Sequence, residues 1–302
     1  MIHQRLRKHI LSILFLCMAI EIHAQNYVDL FSVEYAGTPE VGFDSSDHTT
    51  SLKTLQTDLL IPLVVDAKTT VLTGLTYEMN SASFDSNRKR EQLHGLTLKL
   101  GLHLKHDSIW SGTYFLLPKL ASDMQSISER DFQIGGAVLM KNTRSDHFNY
   151  SLGVYANHEL FGWFVVPMIG FYYLNPTEKI EIKATLPLMF DVNFNPWNRV
   201  KLGFNYKGQV RSYQMNTHTN PKLNPYMAKQ SNEIYSYLVY KINRIHLQFG
   251  VGHSLGRSYL MYNEKVQWAM PLVYFDDART SLNSSFQDSW LIKFSSFYRF
   301  RQ

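Results

Sequence analysis

The sequence predicts an all-β fold, an antiparallel up-and-down transmembrane β-barrel of about 14 strands that follows a cleaved signal peptide. Three observations predict this fold class. Long segments alternate between apolar and polar side chains, and the aromatic residues, which make up 14% of the chain, gather near the ends of these segments. Beyond the signal peptide, no segment approaches the ~18 consecutive apolar residues that indicate a transmembrane helix.

The N-terminus has the three parts of a secretory signal peptide. Arg5, Arg7 and Lys8 form a basic start, the apolar run 10–20 follows, and small Ala24 stands at the expected cleavage edge. An uncleaved membrane anchor is the alternative, but this run is shorter than the roughly 20 residues that cross a bilayer. We therefore expect a signal peptide over residues 1–24, and export of the chain.

The only cysteine in the sequence, Cys17, lies inside the apolar run of the signal peptide. Large Leu16 precedes it where a lipoprotein signal requires a small residue, so lipidation is not expected. The mature chain would then contain no thiol, which excludes disulfide bonds, iron–sulfur clusters and a cysteine nucleophile.

The mature chain, residues 25–302, is close to neutral. The whole sequence has 30 basic and 25 acidic side chains, and loss of the signal peptide leaves 27 and 24, a net charge of +3. The basic residues form no run, so the electrostatic footprint of nucleic-acid binding is missing. Because no Pro-, Ser- or Gly-rich linker divides this range, we expect a single barrel domain.

The segment 94–105 shows the alternation most clearly. One phase carries five leucines, while the other carries threonine, lysine, glycine and histidine. Successive side chains of a strand point to opposite faces, so this pattern predicts a strand with one apolar and one polar face. The same alternation recurs over 200–211, 245–258 and 290–300.

A soluble β-sandwich also alternates and is the main alternative fold. The predicted strands are longer than the usual five or six residues, however, and suit tilted membrane crossings of about 9–11 residues. Aromatic rings with a polar tip favour the boundary between headgroups and hydrocarbon, so two aromatic belts are expected. The residues assigned to these belts are Tyr27, Phe31, Tyr35, Trp110, Tyr114, Phe161, Trp163, Phe164, Tyr172, Tyr173, Trp290, Tyr298 and Phe300.

Short and long connections alternate along the chain. The short ones contain Asn, Asp or Pro, which supply turn geometry, and we assign them to the periplasmic rim. They lie near residues 65–68, 105–108, 141–144, 174–178, 194–198 and 242–244. Longer polar connections, expected to be extracellular, lie near 38–50, 85–92, 122–130, 216–229 and 263–287, with tight outer hairpins at 158–162 and 186–188.

These connections divide the mature chain into fourteen predicted strands, an even number that leaves both ends in the periplasm. They lie near 27–36, 51–65, 69–83, 93–105, 109–120, 131–141, 148–158, 163–174, 178–186, 188–195, 199–215, 230–242, 244–261 and 288–301. Twelve strands are the main alternative, if the short pair around Pro187 is one bent strand and another pair is miscounted. Sixteen would require residues 266–275 to contribute a pair of their own.

The last strand is amphipathic and closes on the aromatic Phe300, followed by Arg301 and Gln302. It resembles the sorting signal of Gram-negative outer-membrane proteins. Over its whole mature length the chain resembles outer-membrane β-barrel proteins of an uncharacterised, unknown-function family. The resemblance implies the bacterial outer membrane as location, and membrane lipids and the outer-membrane assembly machinery as partners. It carries over no functional residues.

The stretch 252–256 fits the G-x-S-x-G pattern of a serine hydrolase, with Ser254 as the nucleophile. A nucleophile elbow requires a turn from a strand into a helix, whereas the residues after Gly256 continue the strand alternation. An outer-membrane phospholipase or lipid A deacylase remains an alternative. Ser254 and His253 are strand neighbours that point to opposite faces, so any catalytic partner would have to come from an adjacent strand.

Other polar residues could carry chemistry, but each has a simpler interpretation. His103 and His106 come nearest to metal-ligand spacing, yet no carboxylate cluster joins them. Acidic and basic residues share the polar phases and predict a salt-bridged, hydrated interior. These are Asp58, Glu78 and Glu181, set among Lys99, Lys183, Lys201, Lys207, Arg211 and Lys293. We therefore predict no catalytic, cofactor-binding or metal-binding residues.

A passive pore or transporter for small solutes is the first functional hypothesis, because a wall of about fourteen strands can hold a polar lumen. Mixed charges with a slight basic excess would select weakly and mildly favour anions. The alternatives are a non-conducting barrel whose extracellular loops bind a partner or fill the lumen, a membrane-lipid hydrolase, and a soluble periplasmic β-protein.

Overall fold

A computed structural model describes residues 27–44, 46–85, 90–216, 224–266, 268–271, 273–275 and 277–301. The predicted signal peptide lies outside the described residues. Within these ranges strands dominate, and the single helix, Glu129–Asp131, is one short 3-10 turn. None of the described segments forms a helix long and apolar enough to cross a membrane.

Fourteen strands form a closed antiparallel barrel, which confirms the predicted count over the alternatives of twelve and sixteen. Each strand pairs with the next along the chain, and β1 pairs with both β2 and β14, so the ring closes. The strands are β1 Tyr27–Gly37, β2 Lys53–Val64, β3 Thr69–Ala82, β4 Glu91–Lys105, β5 Trp110–Ser122, β6 Phe132–Ser145, β7 Phe148–Glu159, β8 Gly162–Leu174, β9 Ile180–Leu186, β10 Met189–Trp197, β11 Val200–Gln214, β12 Tyr226–Ile242, β13 Ile245–Ser254 and β14 Trp290–Arg301.

The outward phase of the wall is apolar, as β4 illustrates. Leu96, Leu98, Leu100 and Leu102 are 38–43% exposed on the outer wall. On the opposite phase, Lys99 points into the lumen and donates a hydrogen bond to an acidic side chain on β2. A sandwich would bury these leucines between its sheets, so the soluble β-sandwich is wrong. An apolar outer wall with a closed hydrogen-bond ring is the form in which strands span a membrane.

Six short turns and both described chain ends lie at one end of the barrel, here called the short-turn end. The Asp66 carboxylate accepts hydrogen bonds from the backbone N–H groups of Lys68 and Thr69, which hold the pKa of Asp66 below its usual value of 3.8. One predicted turn is wrong in position: residues 141–144 belong to β6, and the chain reverses at 146–147.

The opposite end, the long-loop end, contains ordered segments inside the predicted loops. The loop after β1 forms a hairpin of Val41–Phe43 and Ser46–Thr50. The last long loop forms a hairpin of Trp268–Met270 and Val273–Phe275. Neither hairpin adds a strand to the closed ring, which is why sixteen strands is wrong.

Two predicted strand boundaries near the long-loop end are also wrong. The strand predicted to start at 230 begins at Tyr226. The strand predicted over 244–261 ends at Ser254, and after an interruption Ser258–Tyr262 continues along the start of β12. The added residues at the start of β12, among them Tyr226 and Met227, are buried in side-chain clusters inside the barrel.

The wall departs from a regular barrel because β9 and β10 are short. β8 pairs with β9 only over 169–174, and β11 pairs with β10 only over 200–207. Residues 208–214 of β11 therefore have no β10 neighbour in the wall, and residues 226–232 of β12 pair with them. These two segments together are called the inner limb. At its tip, Gln214 pairs in parallel with Ser122 at the end of β5, on the opposite wall.

Candidate functional site

The half of the lumen toward the short-turn end contains a cavity of about 770 Å³, called the main chamber. Its lining includes Tyr27, Asp29 and Arg299, which lie at the ends of β1 and β14 and extend the chamber to that rim. Four acidic and four basic side chains line it, so the chamber carries no net charge from these groups. Such a mixed, hydrated surface suits polar solutes of either sign.

Glu181 organises one wall of this chamber. Its carboxylate pairs with Lys201 at 2.9 Å and with Lys183 at 3.3 Å, and it accepts a hydrogen bond from the Tyr27 hydroxyl at 2.7 Å. Nearby, the Arg299 guanidinium donates to both oxygens of Asp29 at 2.6 and 2.8 Å. Paired and hydrogen-bonded charges of this kind are the expected content of a barrel interior.

Beyond the main chamber, toward the long-loop end, the lumen narrows to a polar cavity of about 20 Å³, which has room for about one water molecule. Three carboxylates and three lysines meet at this constriction. Lys293 pairs with Glu233 at 2.7 Å and with Glu34 at 3.4 Å, and Glu34 also pairs with Lys207 at 3.4 Å. Lys229 forms an ion pair with the Glu78 carboxylate. The constriction is therefore held by interlocked ion pairs.

Glu78 is the most connected acid of this group. Besides Lys229, its carboxylate accepts hydrogen bonds from Tyr213 at 3.1 Å, Asn80 at 3.0 Å and Gln209 at 2.9 Å. Two of these donors come from the inner limb, so Glu78 on β3 ties the limb to the facing wall. Removing such a buried carboxylate would leave its lysine without a partner, which is strongly destabilising.

An apolar cluster closes the lumen beyond the constriction. It combines side chains from β3, β4 and β5 with side chains from the inner limb and from four connections of the long-loop end, so it reaches from wall to wall. Its members are Val41, Phe43, Leu52, Ala82, Phe84, Leu93, Ala121, Tyr213, Met215, Met227, Tyr259, Met261 and Phe286. In the described part of the chain, packed side chains thus fill the long-loop end of the barrel.

The inner limb packs its outward face on the inner face of β8. On β8 the inward residues Phe164, Val166 and Met168 are apolar and at most 7% exposed. They pack in one cluster with Tyr226 and Ala228, which lie on the outward phase of β12. The outward face of the limb, which in a regular barrel would contact lipid, therefore packs on the inward face of β8, which would contact water. We call this contact the seam.

A fully buried ion pair marks the polar edge of the seam. Glu159, at the end of β7, accepts a hydrogen bond from Lys119 at 2.8 Å, and neither side chain is more than 4% exposed. The same carboxylate accepts from the backbone N–H of Ser212 at 2.8 Å and from its hydroxyl at 2.5 Å. The Ser212 hydroxyl accepts in turn from the N–H of Leu160 at 2.8 Å. Ser212 thereby locks the limb to β5 and β7.

The G-x-S-x-G stretch has a structural explanation in place of a nucleophile elbow. The Ser254 hydroxyl donates to the Asp288 carboxylate at 2.9 Å, and the N–H groups of Gly256 and Arg257 donate to the same carboxylate at 2.6 and 2.9 Å. His253 lies on the outer face, edge-on to Trp290. Ser254 and His253 point apart, as predicted, and this clasp joins the end of β13 to the start of β14.

His103 and His106 do not converge on a common point. The His103 Nδ1 lies 2.9 Å from the Thr113 hydroxyl inside the lumen, and the His106 Nε2 lies 3.3 Å from the Tyr114 hydroxyl at the rim. In the described part of the chain, no three His, Cys, Asp or Glu side chains are grouped as metal ligands.

The predicted ion-paired interior is confirmed, but its partners were only partly identified from sequence. Asp58, Glu78 and Glu181 each pair with a lysine. Lys119 and Glu159, whose buried side chains pair between β5 and β7, were not identified from the sequence. One signal could have found the seam: the inward phase of β8 is apolar, which breaks the rule of a polar lumen.

The aromatic belts are confirmed only in part, for the same reason. Phe31, Trp163 and Trp290 are 43%, 50% and 62% exposed on the outer wall. Phe161, Phe164 and Tyr172 were assigned to the belts but are at most 5% exposed, and this assignment is wrong. Phe161 and Phe164 pack in the seam cluster, where the limb covers them.

Solved structures of other barrels resemble this chain at low sequence identity. An outer membrane channel from Pseudomonas putida F1 is 9% identical, with a TM-score of 0.46, and covers 93% of this chain and 99% of its own. A mutant of the monoaromatic hydrocarbon channel TodX is 9% identical, with a TM-score of 0.41, and covers 92% of this chain and 91% of its own. No curated protein matches the sequence. A family model described as Domain of unknown function (DUF6268) matches residues 20–293.

Proposed function

We propose, for this chain that belongs to the DUF6268 family, a function in moving small solutes across the bacterial outer membrane through the lumen of the barrel. In this proposal the structure corresponds to the closed state. The predicted signal peptide would export the chain, and the outer-membrane assembly machinery would insert it into the lipid. The short-turn end would face the periplasm and the long-loop end the exterior.

The observation that carries this proposal is an open chamber next to the inner limb, a packed segment that β10 does not hold in the wall. The main chamber of about 770 Å³ offers room for a small solute. Among the described residues, the inner limb contacts the rest of the barrel through packing on β8, the hydrogen bonds of Ser212, the ion pair of Lys229 with Glu78 and one β-bridge, at Gln214. Such contacts can separate without breaking the hydrogen-bond ladders of neighbouring strands.

A disulfide across the seam tests the proposal. The mature chain has no cysteine if the signal peptide is cleaved, so Ser122→Cys with Gln214→Cys would introduce a single pair at the bridge that joins the limb to β5. We expect oxidised protein to show no current in planar bilayers, and reductant to restore intermittent openings. A matched control, Val33→Cys with Ser296→Cys, links two neighbouring wall strands and should leave the current unchanged.

Loosening the seam should have the opposite effect. Ser212→Ala removes the hydroxyl that donates to the Glu159 carboxylate. Loss of one hydrogen bond to a charged group shifts an equilibrium roughly tenfold, and we expect the open fraction to rise by about that factor. Equal currents from the oxidised, locked protein and the wild type would exclude the limb as the gate.

A non-conducting barrel that presents its long loops to a partner is the second candidate, favoured by the apolar cluster that seals the long-loop end. It predicts no current from wild type, reduced or Ser212→Ala protein that is correctly folded. We propose no catalytic residue, because Ser254 is engaged in the clasp with Asp288.

A further inference from the structure

A second cavity of about 360 Å³ opens beside the main chamber and is called the side chamber. The two cavities share Val28, Leu60, Lys183 and Met189 in their linings, so they lie side by side. A volume of this size lies within the range of roughly 300–1,000 Å³ that is typical of small-molecule sites. Leu139, which packs against the seam cluster, also lines the side chamber, so the cavity lies directly beneath the seam.

Half of the residues that line the side chamber are apolar, whereas charged and polar residues dominate the lining of the main chamber. Leu60 and Pro62 of β2, Leu72 of β3, Phe115 of β5 and Leu139 of β6 all line it. These residues lie on the inward phases, where the alternation elsewhere provides charged and polar side chains. Apolar surface at inward positions is unfavourable in water and becomes favourable when an apolar ligand covers it.

The charges around this apolar surface have one sign. Lys141 and Lys183 line the cavity together with His103, and no Asp or Glu is among the lining residues. Lys183 is satisfied by Glu181, which lies outside the cavity lining. Lys141 forms no ion pair or hydrogen bond with any acidic side chain in the described ranges. A partly buried ammonium group with no counter-ion is a ready partner for an anion.

We infer that the side chamber binds a small amphipathic carboxylate, with the carboxylate group on Lys141 and the aliphatic or aromatic body against Leu60, Leu72 and Phe115. The hydroxyls of Thr113 and Ser151 line the same cavity and can donate hydrogen bonds to the carboxylate. A neutral hydrocarbon would leave Lys141 without a partner, and a hydrophilic anion would leave the apolar side chains of the cavity exposed to water. Only a molecule with both parts satisfies the whole cavity.

This inference names the class of solute for the proposed transport, and its physiological meaning rests on that proposed function. Binding of the solute can be measured whether or not the barrel conducts. Titration calorimetry on the folded, full-length mature barrel in a non-ionic detergent would use octanoate as the probe. Octanol tests the apolar body alone and acetate tests the charge alone. We expect octanoate to bind at least about tenfold more tightly than either one, because only octanoate makes the charged contact and the apolar contact together.

Variants separate the two contacts. Lys141→Gln should weaken octanoate binding roughly 10- to 100-fold and leave octanol unchanged, while Lys141→Arg should keep octanoate binding. Leu72→Ala should weaken both ligands to a similar degree, and it tests the site even if Lys141→Gln does not fold. Lys68→Gln, at an exposed turn outside the lumen, is the matched control and should change nothing.

Two results would overturn the inference: equal binding of octanoate and octanol to the wild type, or wild-type octanoate affinity in Lys141→Gln. The outcomes also separate the two proposals. Octanoate binding without any conductance would remove the proposed transport and keep the site. Conductance that persists without octanoate binding would remove the site and keep transport.

Discussion

At the scale of single residues, the two glycines of the G-x-S-x-G stretch meet different structural requirements. Gly256 has φ of +62°, a conformation that favours glycine, and its N–H donates to Asp288. Gly252 lies so close to the Ile234 backbone that a Cβ atom would collide with its carbonyl oxygen. Both glycines are therefore explained by the turn after β13 and the close approach of β12.

The Asp288 clasp predicts a pH dependence. Burial alone would raise the pKa of Asp288, but hydrogen bonds from the N–H groups of Arg257 and Gly256 and from Ser254 outweigh it and hold the pKa below 3.8. Because the folded pKa is lowered, the stabilisation is present above the unfolded pKa of about 3.9 and is lost as pH falls through the folded value. Between about pH 5 and pH 7, roughly one to three units above that pKa, the wild type should therefore be more stable than Asp288→Asn.

Urea unfolding of the two proteins between about pH 7 and pH 3 measures this difference. It should stay constant down to about pH 5 and shrink below the unfolded Asp pKa of about 3.9. Asp66→Asn, at a turn of the other rim where the pKa is also lowered, is a useful comparison because it should leave the β13–β14 junction intact. A difference that grows as the pH falls would contradict the clasp.

At the scale of elements, β12 uses one side-chain phase for two environments. Leu238 is 44% exposed on the outer wall, while Ala228, ten residues earlier on the same phase, is 8% exposed in the seam. The strand changes environment because β10 ends early and leaves β11 without a wall neighbour. The inner limb is thus a consequence of unequal strand lengths.

This change of environment is testable by labelling. In a mature chain without native cysteine, Leu238→Cys should react readily with a lipid-soluble maleimide in membranes. Ala228→Cys should react at least tenfold more slowly, because the seam has to open before the reaction and this opening should cost at least about 1.4 kcal/mol. Similar rates at both positions would mean that the limb lies in the wall. The Ser122→Cys and Gln214→Cys lock should slow labelling at Ala228→Cys further, measured under oxidising and reducing conditions.

At the scale of the whole molecule, the closed ring lets an apolar exterior surround a polar interior. Every strand of the ring pairs on both sides near the short-turn end, so the backbone is satisfied without water. The cost of placing charge on the outer wall should therefore depend on depth in the lipid, and β4 offers a matched pair of positions.

Leu100→Arg lies near the middle of the outer wall and Leu104→Arg lies near the short-turn rim of the same strand. We expect Leu100→Arg to lower the free energy of unfolding in lipid vesicles by about 2–4 kcal/mol, and Leu104→Arg by about 0–1 kcal/mol. Heat-modifiable gel mobility would verify that both variants fold. Equal costs at the two depths would argue against a bilayer around this wall.

The sequence by itself determined the closed all-β barrel, its fourteen strands and the outward position of residues such as Leu98 and Leu100. A period of two is a local property of the chain, and each strand reports its own two faces. The ion-paired lumen followed from the same alternation, which set acids and lysines on one phase.

Three features follow from the assembled barrel: packed side chains fill the described part of the long-loop end, Glu159 contacts Lys119 and Ser212, and Lys141 faces a chamber with an apolar wall. These contacts join strands that are not neighbours in the ring, and they depend on β9 and β10 ending before β8 and β11 do. Alternation assigns a residue to a face of its own strand, but it does not specify what that face meets when a strand leaves the wall. The seam and the side chamber therefore arise from the relative lengths of strands, a property of the assembled barrel.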